Sequence, residues 1–324
     1  MTHQLIRNVV GVTLWISLIG IAVPSFAQTY PQRPVRIVVN VTAGGGVDMT
    51  ARAVALHLNS VFKQPFVVDN RTGAGGSIGI ELVAKAPRDG HTLLVCSSGI
   101  VTNAAFRPGN YDPVRDFQPV SNLVSTPYIL VATPSLPVKS VQGLVTLAKA
   151  QPGTVRYGTS GAGGIVHLAS ELLAMLSNTK MTSVHYKGAN DAYPAVINGD
   201  VNWMVGAAIS AMPLVKAGRV RALAVTSAKR AKALPDLPTI AESGVPGYDM
   251  VGWFGMFAPA GTPKAIVEKL SAEARQGLHQ PDFAARAEAQ GTEILGSSPD
   301  ELARVLKAEL GTWRKVVANA GLRP

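Results

Sequence analysis

The sequence predicts an α/β fold with mainly parallel sheets, divided into two domains. Three observations carry this reading. Beyond residue 34, β-branched runs alternate with amphipathic helical stretches. A buried strand, a glycine turn and a helix follow one another at residues 35–58, and the same device returns at residues 155–176. Between them, Pro134-Ser135-Leu136-Pro137 reads as a crossing into the second domain.

The N-terminus reads as an export signal covering residues 1–27. An apolar segment, residues 9–23, follows Arg7. It is shorter than the roughly 20 residues a membrane span needs. Pro24 and then Ser25-Phe26-Ala27 supply a helix break and a small-x-small cleavage site, which places the cut near Ala27. No cysteine lies near it, so no lipid anchor is expected there. Cys96 is the only cysteine of the 324 residues, so no internal disulfide can form. Its apolar neighbours mark it as a buried structural thiol.

The chain is 47% hydrophobic and 15% charged, a composition that supports a sizeable core. Its formal charge is +10, scattered apart from Lys229-Arg230-Lys232. Nucleic acid is not an expected partner. A basic surface serves solubility, or raises the local concentration of an acidic small molecule.

In chain order, Val35, Ile37, Val38, Val39 and Val41 form the first strand. Gly44, Gly45 and Gly46 let the backbone turn, and Met49, Ala51, Val54, Ala55 and Leu58 recur at helical spacing. A glycine turn feeding a helix gathers free N–H groups at the positive end of the helix dipole, which suits an anion. A strand at 65–69 precedes the glycine-rich run 73–76 and a helix through Ile80 and Val83. The strand at 93–95 ends in Ser97-Ser98-Gly99, and 111–117 reads as a loop. A buried strand at 128–133 follows. Ser140 caps a helix carrying Leu144, Leu147 and Ala148. The second device has its strand at 155–157, the turn Gly158-Thr159-Ser160-Gly161-Ala162-Gly163-Gly164, and a helix with Ile165, Leu168, Ala169, Leu172 and Leu176 on one face. Further strands are read at 183–186, 201–205, 222–225 and 253–259, with a helix through Ala192, Ala195 and Val196. Thr262 caps a helix with Pro263 at its first position. Ser298-Pro299-Asp300-Glu301 is a capping box before the stripe Leu302, Leu306, Leu310, Trp313 and Val317. This last helix is expected to pack on the first domain. One anion-friendly turn per domain suggests a ligand held between two lobes.

Other chemistries find little support. The runs 73–78 and 161–166 lack the third glycine of a dinucleotide fingerprint, and neither carries the lysine of a phosphate-binding loop. No histidine pair has metal-ligand spacing. No cofactor, metal or catalytic residue is therefore expected. His57 and His279 read as surface or packing residues, His91 as a turn residue and His185 as a core residue. His167 sits in the first turn of its helix, off the buried face, and points to a ligand or to solvent. Asp48 either caps the first helix or faces the cleft.

Several ordered segments resemble the Bug family, periplasmic solute-binding proteins of tripartite tricarboxylate transporters. They are residues 40–48, Asp69-Asn70-Arg71-Thr72-Gly73-Ala74-Gly75-Gly76, Tyr111-Asp112-Pro113, Tyr186-Lys187-Gly188, Lys216-Ala217-Gly218, and Phe257-Ala258-Pro259-Ala260-Gly261-Thr262-Pro263. The resemblance covers essentially the whole mature chain. It implies a two-lobed periplasmic binding fold of the second type with two crossings, lobe 1 being 28–127 plus 250–324 and lobe 2 being 128–249. It implies a small carboxylate held in the cleft by backbone N–H groups and ordered waters.

By matched position the site is Val41, Thr42, Ala43, Gly44 and Gly45, joined by Asp48. From the second lobe come Ser160, Gly161, Gly163 and Gly164, with His167 nearby. Ser97 and Ser98, Tyr186, Lys187 and Gly188, and Gly206 and Ala207 line the rest. Thr42 stands where the family usually has proline or a small residue. Val205-Gly206-Ala207 replaces a common F-D-N, which points to an organic acid with an apolar or aromatic body, with Trp203 and Trp253 as candidate stacking surfaces. The implied partners are that carboxylate and the integral-membrane subunits of a transporter, or alternatively a sensor kinase to which bound ligand is presented. A monomer in the periplasm that closes by hinge motion, without catalysis, is expected.

Overall fold

The computed structural model describes residues 30–319 and 321–323. The export segment 1–27 and its cleavage site lie outside them. The compact unit that begins at Arg33 contains every element below.

Ten strands are described: β1 Val35–Val39, β2 Phe66–Asn70, β3 Thr92–Ser97, β4 Phe117–Ala132, β5 Arg156–Thr159, β6 Thr182–His185, β7 Trp203–Ala207, β8 Arg221–Val225, β9 Val251–Pro259 and β10 Glu293–Ile294. They pair in the order β2-β1-β3-β9-β4-β7-β5-β6, with β8 and β10 also on β4. β1 runs parallel to β2 and β3, and β5 runs parallel to β6 and β7. β9 and β4 between these triplets are antiparallel to their neighbours. The sheet is thus mixed rather than mainly parallel.

β4 departs most from the sequence reading, which placed a strand only at 128–133. It begins at Phe117, because Pro119 and Pro127 disguise its first part. Register shifts after Pro119 and after Asn122 absorb the missing ladder bond and the local bend. Residues 117–127 pair with β9, and residues 128–132 pair with β7 and β8. The change of partner therefore falls at Pro127/Tyr128, not at 134–137. Residues 134–138 are instead gripped by Arg221, whose guanidinium donates to the carbonyls of Pro134, Leu136 and Val138. The returning chain, 226–251, meets β4 at the same place. Thr226 N donates to Tyr128 O at 2.9 Å, Thr226 Oγ1 donates to Met250 O at 2.7 Å, and Met250 N donates to Thr226 O at 2.9 Å.

Helices cover the sheet. Gly46–Phe62 buries Ala51, Val54, Ala55 and Leu58, the face its spacing predicts. Ser140 caps the helix Val141–Ala150 by accepting from Gly143 N at 3.1 Å. Three helices went unread in the sequence, among them Pro281–Ala289. Gly99–Phe106 is buried on every side, so it has no polar face to generate a helical period. Ala208–Lys216 carries Pro213 inside it. Thr262 does not cap: its hydroxyl donates to Pro259 O at 2.8 Å, and the helix Lys264–Leu278 starts after Pro263. The capping box of Ser298 and Glu301 forms in both directions. The helix Pro299–Asn319 then lays Leu302, Leu306, Leu310 and Trp313 on Gly99–Phe106 and β4.

Candidate functional site

Five strands, β1, β3, β5, β6 and β7, release the chain toward one place, and each is followed by a helix. Those helices begin at Gly46, Gly99, Ile165, Ala189 and Ala208. The crevice beyond the carboxyl ends of parallel strands is where open α/β folds hold ligands. Here it is a cavity of about 490 Å³ including its open mouth. The first half contributes Val41, Thr42, Gly45, Gly46, Val47, Ser97 and Phe254; the second contributes Ser160, Ile165, Val166, Ala189, Asn190, Tyr193, Ala207 and Ser210, with Tyr128 at the junction.

No charged side chain is among these lining residues. The positive character comes from backbone. The first helical ladder bonds are Met49 N to Gly45 O and Leu168 N to Gly164 O. Val47, Ile165 and Val166 precede those bonds, so their N–H groups have no acceptor within their own helices. Each such terminus behaves as roughly half a positive charge. Several of them around one apolar-walled space suit an anion and need no cationic side chain.

Buried polar groups shape the two loops from behind. Asp48 is 2% exposed and turned inward. Its carboxylate accepts from Gly44 N, Arg52 Nε and Asn70 Nδ2 at 2.9, 2.9 and 3.0 Å. Burial works to raise its pKa, but these hydrogen bonds and the Arg52 charge leave it below the usual carboxylate range. Asp48 therefore organises the first loop and does not face the cleft. On the other side, Thr159 Oγ1 accepts from Gly161 N at 3.2 Å and bonds His185 Nδ1 at 2.7 Å. Gly163 N donates to His167 Nδ1 at 3.1 Å, and Gly164 N to Gly161 O at 3.2 Å.

His167 is buried, contrary to its reading as a residue off the packed face. Its ring packs edge-on between Phe106 and His185. Burial first, then His185 and Arg107, bring its pKa down to about 4. It is neutral at pH 7, as an acceptor for Gly163 N must be. Glu171, which accepts from Tyr157, lies 3.7 Å from its Nε2.

Of the residues expected at the site, Val41, Thr42, Gly45, Ser97, Ser160 and Ala207 line the cavity. The N–H groups of Gly44, Gly161, Gly163 and Gly164 are engaged inside their loops. Ala43 accepts from Asn190 Nδ2 at 3.1 Å. Ser98 is buried next to Ser97, Tyr186 N returns to Thr159 O, and Lys187 is exposed. Gly188 leaves room for Thr42, and Gly206 leaves room for Tyr193. The tryptophans are core residues. Trp203 packs on Tyr157, and Trp253 Nε1 donates to Glu309 at 2.8 Å. The ring surfaces come from Tyr128, Tyr193 and Phe254, which sequence reasoning did not select. Val47, Ile165 and Val166 were within reach of it, since they follow the glycine turns directly.

The halves meet around the cavity. Gly46 N donates to Ser210 Oγ at 3.1 Å, alongside the Asn190–Ala43 bond. Gly75, at φ +67°, lies so close to the second loop that a Cβ there would collide with Ala162 O.

The family model described as tripartite tricarboxylate transporter family receptor matches residues 50–322. Protein BugT of Bordetella pertussis is 33% identical over 324 residues, covering 98% of each chain. The chain belongs to the Bug family. Solved Bug-type structures superpose along most of its length. A Rhodopseudomonas palustris protein with adipate is 39% identical, with a TM-score of 0.86 over 91% of this chain and 99% of that one. MatC from the same organism, with bound malate, is 32% identical, with a TM-score of 0.85 over 89% and 100%. The fold is accordingly that of a Bug-type periplasmic binding protein, with two lobes of the second type and two crossings.

Proposed function

We propose that this Bug protein is a periplasmic receptor that captures a small carboxylate between its lobes and delivers it to the membrane subunits of a tripartite tricarboxylate-type transporter. Lobe 1 is 28–127 with 250–324, lobe 2 is 128–249, and residues 1–27 are the export signal. Closure about the two crossings, not chemistry, is the working step. The observation that carries this reading is the convergence of helix first turns from both halves on one cavity without a charged wall. Such donors suit the shape and charge of a carboxylate and tolerate variation in the rest of the molecule.

The ligand we assign is an organic acid with an apolar or aromatic body. Phe254, Tyr128, Tyr193, Val47, Ile165 and Val166 supply the walls for it. Adipate, bound by one relative, is such a molecule. A thermal-shift panel tests the reading. Dicarboxylates with methylene bodies, or aromatic acids, are expected to raise Tm in a concentration-dependent way. Stabilisation by citrate alone rejects the assigned ligand class, and stabilisation by no carboxylate rejects the receptor reading.

A further inference from the structure

Tyr193 stands on the helix Ala189–Asn198 and lines the cavity. It is 4% exposed, and its hydroxyl is buried without a hydrogen-bond partner. Folded proteins rarely leave a buried hydroxyl unpaired, because desolvation then goes uncompensated. On a residue that lines a ligand cavity, such an orphan marks a place for a ligand to complete. The hydroxyl stands over Gly206 of β7, where any Cβ would collide with it. Glycine at 206 is what lets the phenol reach this depth. Burial, with Tyr128 close by, raises the phenol's pKa far above its ordinary value. The group is therefore a neutral O–H donor.

Tyr193 lines the same cavity as the helix turns at Val47, Ile165 and Val166, with Phe254 among the walls. Resting on the carboxylate-receptor reading, we propose that Tyr193 is a specificity-determining residue. Its hydroxyl donates to an acceptor oxygen at the far end of the ligand and so selects acids that carry a second oxygen group beyond an apolar body. An acid ending in a methyl group leaves the hydroxyl unpaired and gains nothing from it.

The test is calorimetric titration of the full mature chain with matched pairs. One pair is adipate and hexanoate; the other is a benzene dicarboxylate and the toluate that lacks one carboxyl. The wild-type chain is expected to prefer the diacid of at least one pair by about tenfold or more, as a hydrogen bond to a charged acceptor allows. Tyr193→Phe is expected to shrink that ratio about tenfold, with monoacid affinity unchanged and the Tm of the unliganded chain unchanged or raised. Gly206→Ala, which displaces the hydroxyl, shrinks the same ratio and serves if Tyr193→Phe fails to fold. A ratio that survives substitution overturns the proposal and leaves the receptor reading standing. So does a wild-type chain that binds both acids of each pair equally. A wild-type chain that binds none of the four overturns this inference together with the assigned ligand class, while the thermal-shift panel decides the receptor reading.

Discussion

Asp48 and His167 hold the two glycine loops from behind, each by a single buried side chain. Asp48 accepts from Gly44 N, and His167 accepts from Gly163 N through Nδ1. The histidine makes the second loop sensitive to pH. Its folded-state pKa of about 4 lies below the ordinary value of 6.5, so the folded chain favours the neutral ring. The resulting stability is fully present above about pH 6.5 and is lost as pH falls toward 4. Burial first, then His185 and Arg107, set this shift, and Phe106 and Glu171 also face the ring. His185, also shifted down by burial, adds to the same trend. His167→Phe is expected to lower stability by about 1–3 kcal/mol at pH 7.5, because Gly163 N loses its acceptor. Its Tm should then fall less steeply than wild type between pH 7 and 5. Parallel Tm–pH curves would remove the histidine from this role.

Among the elements, the last helix shows how a well-patterned segment still carries one misplaced charge. Leu302, Leu306, Leu310 and Trp313 seat it, and the same contact buries Glu309 against Trp253. Burial raises the Glu309 pKa to about 7, and the hydrogen bond from Trp253 only partly opposes this. A folded-state pKa above the unfolded one favours the protonated form. That contribution is fully present below about pH 4.5 and is lost as pH rises through 7. Glutamine keeps an acceptor for the indole without the charge. Glu309→Gln is expected to raise stability by about 1–3 kcal/mol at pH 8.5 and to change little at pH 5. Urea unfolding at both values checks it, and an equal effect at both would contradict the burial argument.

At the scale of the whole molecule, the proposed receptor works by its halves approaching and parting. β4 and the returning chain are joined at Thr226, which bonds both Tyr128 and Met250 backbone. Opposite them, the seam closes through Gly46 with Ser210, Asn190 with Ala43, and Gly75 against Ala162. Gly75→Ala tests this closed contact directly. The added methyl has no room there, and φ of +67° disfavours any side chain. The variant is expected to fold, to keep a larger radius of gyration by small-angle scattering when ligand is added, and to bind at least about tenfold more weakly. Unchanged compaction and affinity would show that this contact plays no part in closure.

The sequence by itself determined the order of elements, the buried stripes and the two glycine turns, because spacing and φ preference are local properties. Val35 to Val39 and Leu302 to Trp313 read correctly for that reason, while Val41, read into the same strand, lies in the loop after it. It also singled out the two glycine turns whose residues come to border one cavity. What it did not determine was which groups stay open. Gly44, Gly161, Gly163 and Gly164 look alike as turn residues, yet each spends its N–H inside its own loop, and Asp48 turns inward. Tyr128, Tyr193 and Phe254 come to the cavity from a sheet strand, a helix and the returning strand. β4 was hidden by its prolines, and the helix Gly99–Phe106 by burial on all sides. Only the tertiary structure decided these points. Hydrogen-bond partners and cavity walls are set by residues far apart in the chain, and no local pattern encodes a distance between them.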